Sequence, residues 1–311
     1  MIRALTKRLT TSSFRYSIRT QLRTLRERGA GEMVRWNGVL IDAAVRERLH
    51  RSRYVVLTDR QLIDSRKSDT VYVFGSGYSL NDTTPEQWRV IERHDTMGIN
   101  MSIHEQWVRM DYHVLRGGVE GSTLKWRAYA EDFCRTIAAN PHYRNTIFLL
   151  QGEYYGQFGN QIVGYELLPA RSRIYRFHTA RGEGLPTRSL REGLRHAQGT
   201  LSDAVNAAAV IGWRNIVLAG VDLYDSRYFW LKPDEVLEMD PATGMLRAAA
   251  INVRGHRAHE AHNTAQNGIV RTMGQWREHL ERERGIQLSV LNPRSLLASV
   301  MPVHQIGVAN E

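Results

Sequence analysis

Cysteine is almost missing from this sequence. Cys134 stands alone among 311 residues, which excludes an intramolecular disulfide and a cysteine-built zinc site and fits a reducing compartment. Long apolar runs are missing too. None approaches the length of a membrane-spanning helix, and the N-terminus lacks the continuous apolar stretch of a secretory signal. Most of the chain also lacks an excess of positive charge. Of the net +10, a surplus of 9 sits in residues 1–66, which hold 15 Lys/Arg against 6 Asp/Glu, so residues 67–311 are nearly neutral. A basic nucleic-acid cleft is not expected of such a core, and no recognition helix stands out. Clustered carboxylates at strand ends, as a Mg²⁺ site needs, are absent as well; only Asp222 is well placed.

What is present centres on Val71–Asp82, VYVFGSGYSLND. Four apolar residues run into Gly75-Ser76-Gly77-Tyr78-Ser79 without alternating, as a strand buried on both faces does. Thr84 then reads as an N-cap, Pro85 as a first helical residue and Gln87 as the capping-box partner. Strand, glycine turn and helix make a common phosphate-holding device, because backbone N–H groups face the anion. The pattern G-x-G-x-S is neither G-x-G-x-x-G nor a P-loop, so plain topology stands beside ligand binding as a reading.

Further short apolar runs follow: Thr96–Met101, Asp111–Gly118, Thr146–Leu150, Arg173–Phe177, Ile216–Tyr224 and Gln287–Leu291. Helices are expected over 123–139, from Thr200 (with Asp203 as a capping box) to Trp213, from His262 to about Arg284, and from Pro293. The alternation predicts an α/β protein with a Rossmann-like, three-layer α/β/α arrangement and a mainly parallel sheet. One domain is expected over 67–311, with an irregular lid region at about 231–258, behind a basic extension of residues 1–66 in which the apolar run Tyr54–Leu57 reads as an added strand or as a lead-in to the domain. Residues 1–28 hold eight Lys/Arg, one Glu and recurring Leu, Phe and Ile. Attachment to an anionic membrane, a solvated arm and a transit peptide all remain open for them. His256, His259 and His262 lie at three-residue spacing, which is not the i, i+4 spacing of a helical zinc site, and no metal is expected.

Five segments in register resemble one family, the bacterial sialyltransferases of glycosyltransferase family 42, with related nonulosonic acid and Kdo transferases. They are FGSGYSLND, MGINM, TLSDAVNAAAVIGWRNIVLAGVDLYDSRYF, HNTAQNGIV and LSVLNPRSLLASVMP, spanning roughly residues 70–303. The resemblance implies a GT-A-like variant of the fold and an inverting, metal-independent transfer from a CMP-activated sugar acid to a glycan. It implies that Gly75, Ser76, Gly77, Ser79, Asn100, Gly199, Thr200 and Asp222 bind the donor. Tyr224 and Tyr228 would hold the leaving phosphate, and His262 would be the base. Ser76 departs from the family's Asn, and Arg116 stands where the family has a nucleotide-contacting Asn, which offers it to a phosphate or a sugar carboxylate. No cofactor beyond the CMP-sugar co-substrate is implied, and the oligomeric state, including a homo-oligomer, stays open. Peripheral attachment to the cytoplasmic face of the inner membrane is the expected location. A Kdo transferase and a non-catalytic protein that binds a nucleotide sugar remain the alternatives.

Overall fold

The computed structural model describes residues 22, 25–27, 29–116, 123–152, 157–180, 184–225, 227–239, 246–250 and 268–307. Its frame is one parallel sheet. In chain order the strands are β1 (Val55–Val56), β2 (Thr70–Phe74), β3 (Asp95–Ile99), β4 (Tyr112–Leu115), β5 (Ile147–Gln151), β6 (Arg173–Phe177) and β7 (Asn215–Ala219). A hairpin of β8 (Glu235–Met239) and β9 (Leu246–Ala250) precedes β10 (Gln287–Val290). The eight sheet strands lie in the order β1-β6-β5-β4-β3-β2-β7-β10, each pair parallel.

Both faces of the sheet are covered, which explains the apolar runs. Val71, Val73, Met97, Ile99, Val114 and Leu149 pack against α6 (Thr200–Ile211) and α7 (Ile269–Arg284). Tyr72, Phe74, Leu115, Phe148, Leu150 and Val217 pack on the other side. Their partners are α3 (Pro85–Ile91), α4 (Thr123–Ala139) and α5 (Gln157–Gly164). Successive strand residues thus feed opposite layers, and a three-layer α/β/α architecture results.

Thr84 caps α3 through a complete capping box with Gln87, and Pro85 opens the helix. Elsewhere the expectations need correction. The helix α1 (Ala30–His50) packs on α5, burying Trp36, Leu40 and Ala43, and the crossing is close because Gly164 faces the α1 backbone. A Cβ on Gly164 would lie 2.9 Å from Glu47 N. β1 joins the sheet beside β6, and the short α2 (Asp59–Ile63) buries Leu62. The boundary drawn at residue 67 therefore falls inside the packed body, which includes residues 30–66. The region 231–258 is not wholly irregular, since β8 and β9 pair antiparallel there. The closing helix expected from Pro293 is a single 3-10 turn, Leu296–Ser299, capped by Ser295.

Candidate functional site

β2 has neighbours that leave it in opposite directions along the chain: β3 on one side and β7, added much later, on the other. This is a topological switch point, where the connections at the carboxyl ends diverge and open a crevice. A cleft of ≈ 160 Å³ lies there. Gly75, Ser76 and Gly77 line it after β2, Asn100 and Met101 after β3, Gly199 and Thr200 at the start of α6, and Asp222, Asp225, Arg227 and Tyr228 after β7.

The glycine turn is zipped to the end of β7. Gly75 N donates to Ala219 O at 2.8 Å and Gly77 N to Gly220 O at 2.7 Å. The two glycines are set by space: a Cβ on Gly75 would lie 2.3 Å from Gly220 O, and one on Gly77 would lie 2.4 Å from Asp222 Oδ2. Ser79 N donates to Asp222 Oδ2 at 2.9 Å, its hydroxyl donates to Oδ1 of the same carboxylate, and Asn292 Nδ2 donates to Oδ1 at 2.8 Å. Alternate amides of the turn are thus engaged by protein. Ser79 and Asp222 are buried in a knot that fastens the turn to β7, although Asp222 still lines the cleft. Ser76 lines the cleft, and its amide and hydroxyl find no partner among the described residues.

The opposite wall rises from the 3-10 turn Asn100–His104. Asn100 takes a φ of 48°, a left-handed conformation that Asn tolerates better than most residues. Behind it His113 is fully buried, and burial pushes its imidazole down to about 3. Its Nδ1 lies 3.1 Å from Tyr143 Oη, which is 3.1 Å from Ser102 O. Where the phenol gives its one proton to Ser102, His113 must carry its own on Nδ1. Nearby, Glu105 is completely buried and its carboxyl is raised to about 7 by desolvation, against the amides of Val108 and Trp107 that favour the charge.

The third wall is the N-terminus of α6. Gly199, at φ 112°, is the cap, and Thr200 is the first helical residue without a side-chain cap bond. The expected capping box does not form because Asp203 turns to Arg116 (2.9 Å) and to His196 (2.7 Å). Arg116 also donates to Thr179 Oγ1 at 3.1 Å. It is therefore committed to a buried carboxylate and is not among the residues that line the cleft.

Tyr228 lines the cleft, bridges to Gly77, and packs at a tilt against Trp230 with ring centroids 4.7 Å apart, while the Trp230 ring stacks on that of His104 at 4.4 Å. Burial raises its phenol, so it stays protonated, and its hydroxyl has no partner among the described residues. Tyr224 instead lies near Asn292, whose Nδ2 is 3.4 Å from its Oη, and it does not line the cleft. His262, His256 and His259 lie outside the described residues. Among the described residues no group of three His, Cys, Asp or Glu is placed to hold a metal.

The structure brings Gly75, Ser76, Gly77, Asn100, Gly199, Thr200, Asp222 and Tyr228 to one cleft, and leaves Ser79, Arg116 and Tyr224 outside its lining. Sequence reasoning missed Asp225 and Arg227. Their placement in D-L-Y-D-S-R-Y, between the two singled-out tyrosines, was the available signal.

No protein-family model matches the chain, and no curated protein matches it. Among solved structures the chain is similar to the sialyltransferase CstII from Campylobacter jejuni in complex with the substrate analogue CMP-3FNeuAc. The identity is 15%, over 78% of this chain and 89% of that one, with a TM-score of 0.43. It is similar to the monofunctional α-2,3-sialyltransferase Cst-I from Campylobacter jejuni at 12% identity, over 83% of this chain and 85% of that one, with a TM-score of 0.43. A third is the MAf glycosyltransferase of Magnetospirillum magneticum AMB-1, at 15% identity and a TM-score of 0.40, over 80% of this chain and 36% of that one. Likenesses at this level describe those proteins.

Proposed function

We propose that the protein is a glycosyltransferase that moves a sialic-acid-like sugar from a CMP donor to a hydroxyl of a surface glycan, with inversion and without a metal. The observation that carries this is the cleft at the switch point, where the glycine turn, the N-terminus of α6 and the Tyr228 phenol converge. The five sequence motifs that resemble family 42 supply the donor. In this reading the nucleotide lies across Ser76, Asn100 and Thr200. The acceptor oxygen attacks the anomeric carbon as its bond to the phosphate oxygen breaks, and CMP departs. Tyr228 donates a hydrogen bond to the phosphate as its charge develops, with Tyr224 behind it, and His262 takes the acceptor proton. Residues 1–28 hold the protein on an anionic membrane that carries the acceptor.

The test is CMP release from CMP-sialic acid and from CMP-Kdo, with EDTA present and no acceptor. Slow, EDTA-resistant hydrolysis of one of them is expected, and it names the donor; silence with both, or hydrolysis that EDTA abolishes, overturns the reading. A non-catalytic binder would take up CMP without turnover. His262→Ala should abolish transfer and leave CMP affinity within about twofold, the split expected of a group that acts in the transition state alone.

A further inference from the structure

Arg227 is the cation among the described residues that line the cleft. Its guanidinium meets Asp225 side-on: Nε lies 2.9 Å from Oδ2 and 3.1 Å from Oδ1, and Nη2 lies 2.7 Å from Oδ2. Its Cζ stands 4.3 Å from the centroid of the Tyr78 ring, so the plane of the fork is held against an aromatic face. The side chain is 21% exposed, while that of Asp225 is 3% exposed. Asp225 raises the guanidinium pKa by hydrogen bonding, so the charge is fixed at every working pH.

A structural role alone would use this much: a buried carboxylate needs a counter-charge. Yet a guanidinium has five N–H donors, and side-on pairing consumes only the Nε–Nη2 edge. Among the described residues the end-on edge, made by Nη1 and Nη2, has one long contact, 3.4 Å from Nη1 to Pro233 O. That edge fits an oxyanion bidentately. Tyr228, the next residue, bridges to Gly77, and Phe229 N donates to Ser76 O at 3.2 Å. Arg227 is thereby fixed beside the glycine turn, where an anion would lie.

We infer that Arg227 is a substrate-reading residue, whose end-on edge takes an oxyanion of the bound donor while its side-on edge stays on Asp225. This rests on the nucleotide-sugar reading above. The oxyanion has two sources with the same chemistry, the nucleotide phosphate and the sugar carboxylate. Arg116, the arginine that the sequence offered for this purpose, is occupied by Asp203.

Calorimetric titration of the full chain with cytidine, CMP and CMP-sialic acid tests this in the wild type, Arg227→Lys and Arg227→Gln. Arg227→Gln should bind cytidine as the wild type does and bind CMP roughly ten- to a hundredfold more weakly, the loss of one charge-assisted pair. Unchanged CMP affinity with weakened CMP-sialic acid assigns the carboxylate instead. Arg227→Lys keeps a cation beside Asp225, guards against loss of the fold, and should recover only part of the affinity because it lacks the fork. Parallel loss of cytidine and CMP in both variants, or no loss of either anion, overturns the assignment. A wild type that binds neither nucleotide sinks the proposed function. The anion role then stands or falls on inorganic phosphate, which must raise the melting temperature of the wild type and not that of Arg227→Gln.

Discussion

At the scale of single residues, Gly77 shows how space rather than backbone freedom fixes a glycine. Its φ is −70°, open to any residue. A methyl group there would sit 2.4 Å from Asp222 Oδ2 and 2.7 Å from Gly220 O, so it must displace the carboxylate that holds Ser79 and Asn292. Gly77→Ala is expected to cost about 1–3 kcal/mol of stability, the range for forcing volume into a packed site. The same change should weaken CMP binding at least tenfold. Gly38, inside α1, has nothing within 4 Å of the place a methyl group would take, so space is no obstacle there. Gly38→Ala should stabilise by roughly 0.5–1 kcal/mol through helix propensity. Urea unfolding of the two variants side by side checks both signs, and a Gly77→Ala protein as stable as Gly38→Ala would remove the knot from the account of the site.

At the scale of elements, the 3-10 turn Asn100–His104 rests on two buried titratable groups that pull stability in opposite directions with pH. Glu105 titrates at about 7 in the fold, above its ordinary value of 4.5. The folded protein keeps that proton where the unfolded chain has lost it, so stability present at pH 4.5 declines as pH rises to 7. His113 titrates at about 3 in the fold, below its ordinary 6.5. The unfolded chain gains a proton that the fold refuses, so stability present above pH 6.5 is lost as pH falls towards 3. Glu105→Gln should flatten the decline between 4.5 and 7, and His113→Gln the decline below 6.5, read as urea midpoints across pH 4–8. Unaltered slopes would mean that neither group is held as its burial implies. The sheet was legible in the sequence because doubly covered parallel strands are uninterrupted apolar runs, and Thr84-Pro85-Glu86-Gln87 spelled out its own cap. The hairpin β8–β9 was not, since Leu246–Ala250 holds three alanines and little strand propensity. Nor were the partners of Asp222, Arg116 and Arg227, because each pairing is made by residues that only the fold, or a turn after β7, brings together.

At the scale of the whole molecule, the question is what covers the outward face of α1. At 100° per residue Val34, Ile41, Val45 and Leu49 fall within an arc of about 80°, opposite the buried Trp36, Leu40 and Ala43. They are 66%, 53%, 52% and 69% exposed. Apolar residues on both faces blur the periodicity, which is why the sequence did not mark this segment as part of the body. The stripe follows directly on residues 1–28, with their eight basic residues. Each basic residue near an anionic bilayer contributes about 1 kcal/mol, so four of the eight give roughly thousandfold enrichment at the surface. A lipid surface would then cover apolar side chains that water now faces. Among the described residues no helix is long and apolar enough to cross a membrane. The full chain should sediment with phosphatidylglycerol vesicles at low salt, be released at high salt, and ignore phosphatidylcholine. Deleting residues 1–28 should abolish sedimentation, and Ile41→Glu with Val45→Glu should weaken it several-fold while leaving CMP binding intact. Retention of vesicle binding after both changes would place the membrane contact elsewhere, and failure of the full chain to sediment would reject it. A concentration-dependent dimer that the two glutamates dissolve would identify a second copy of the chain as what covers the stripe.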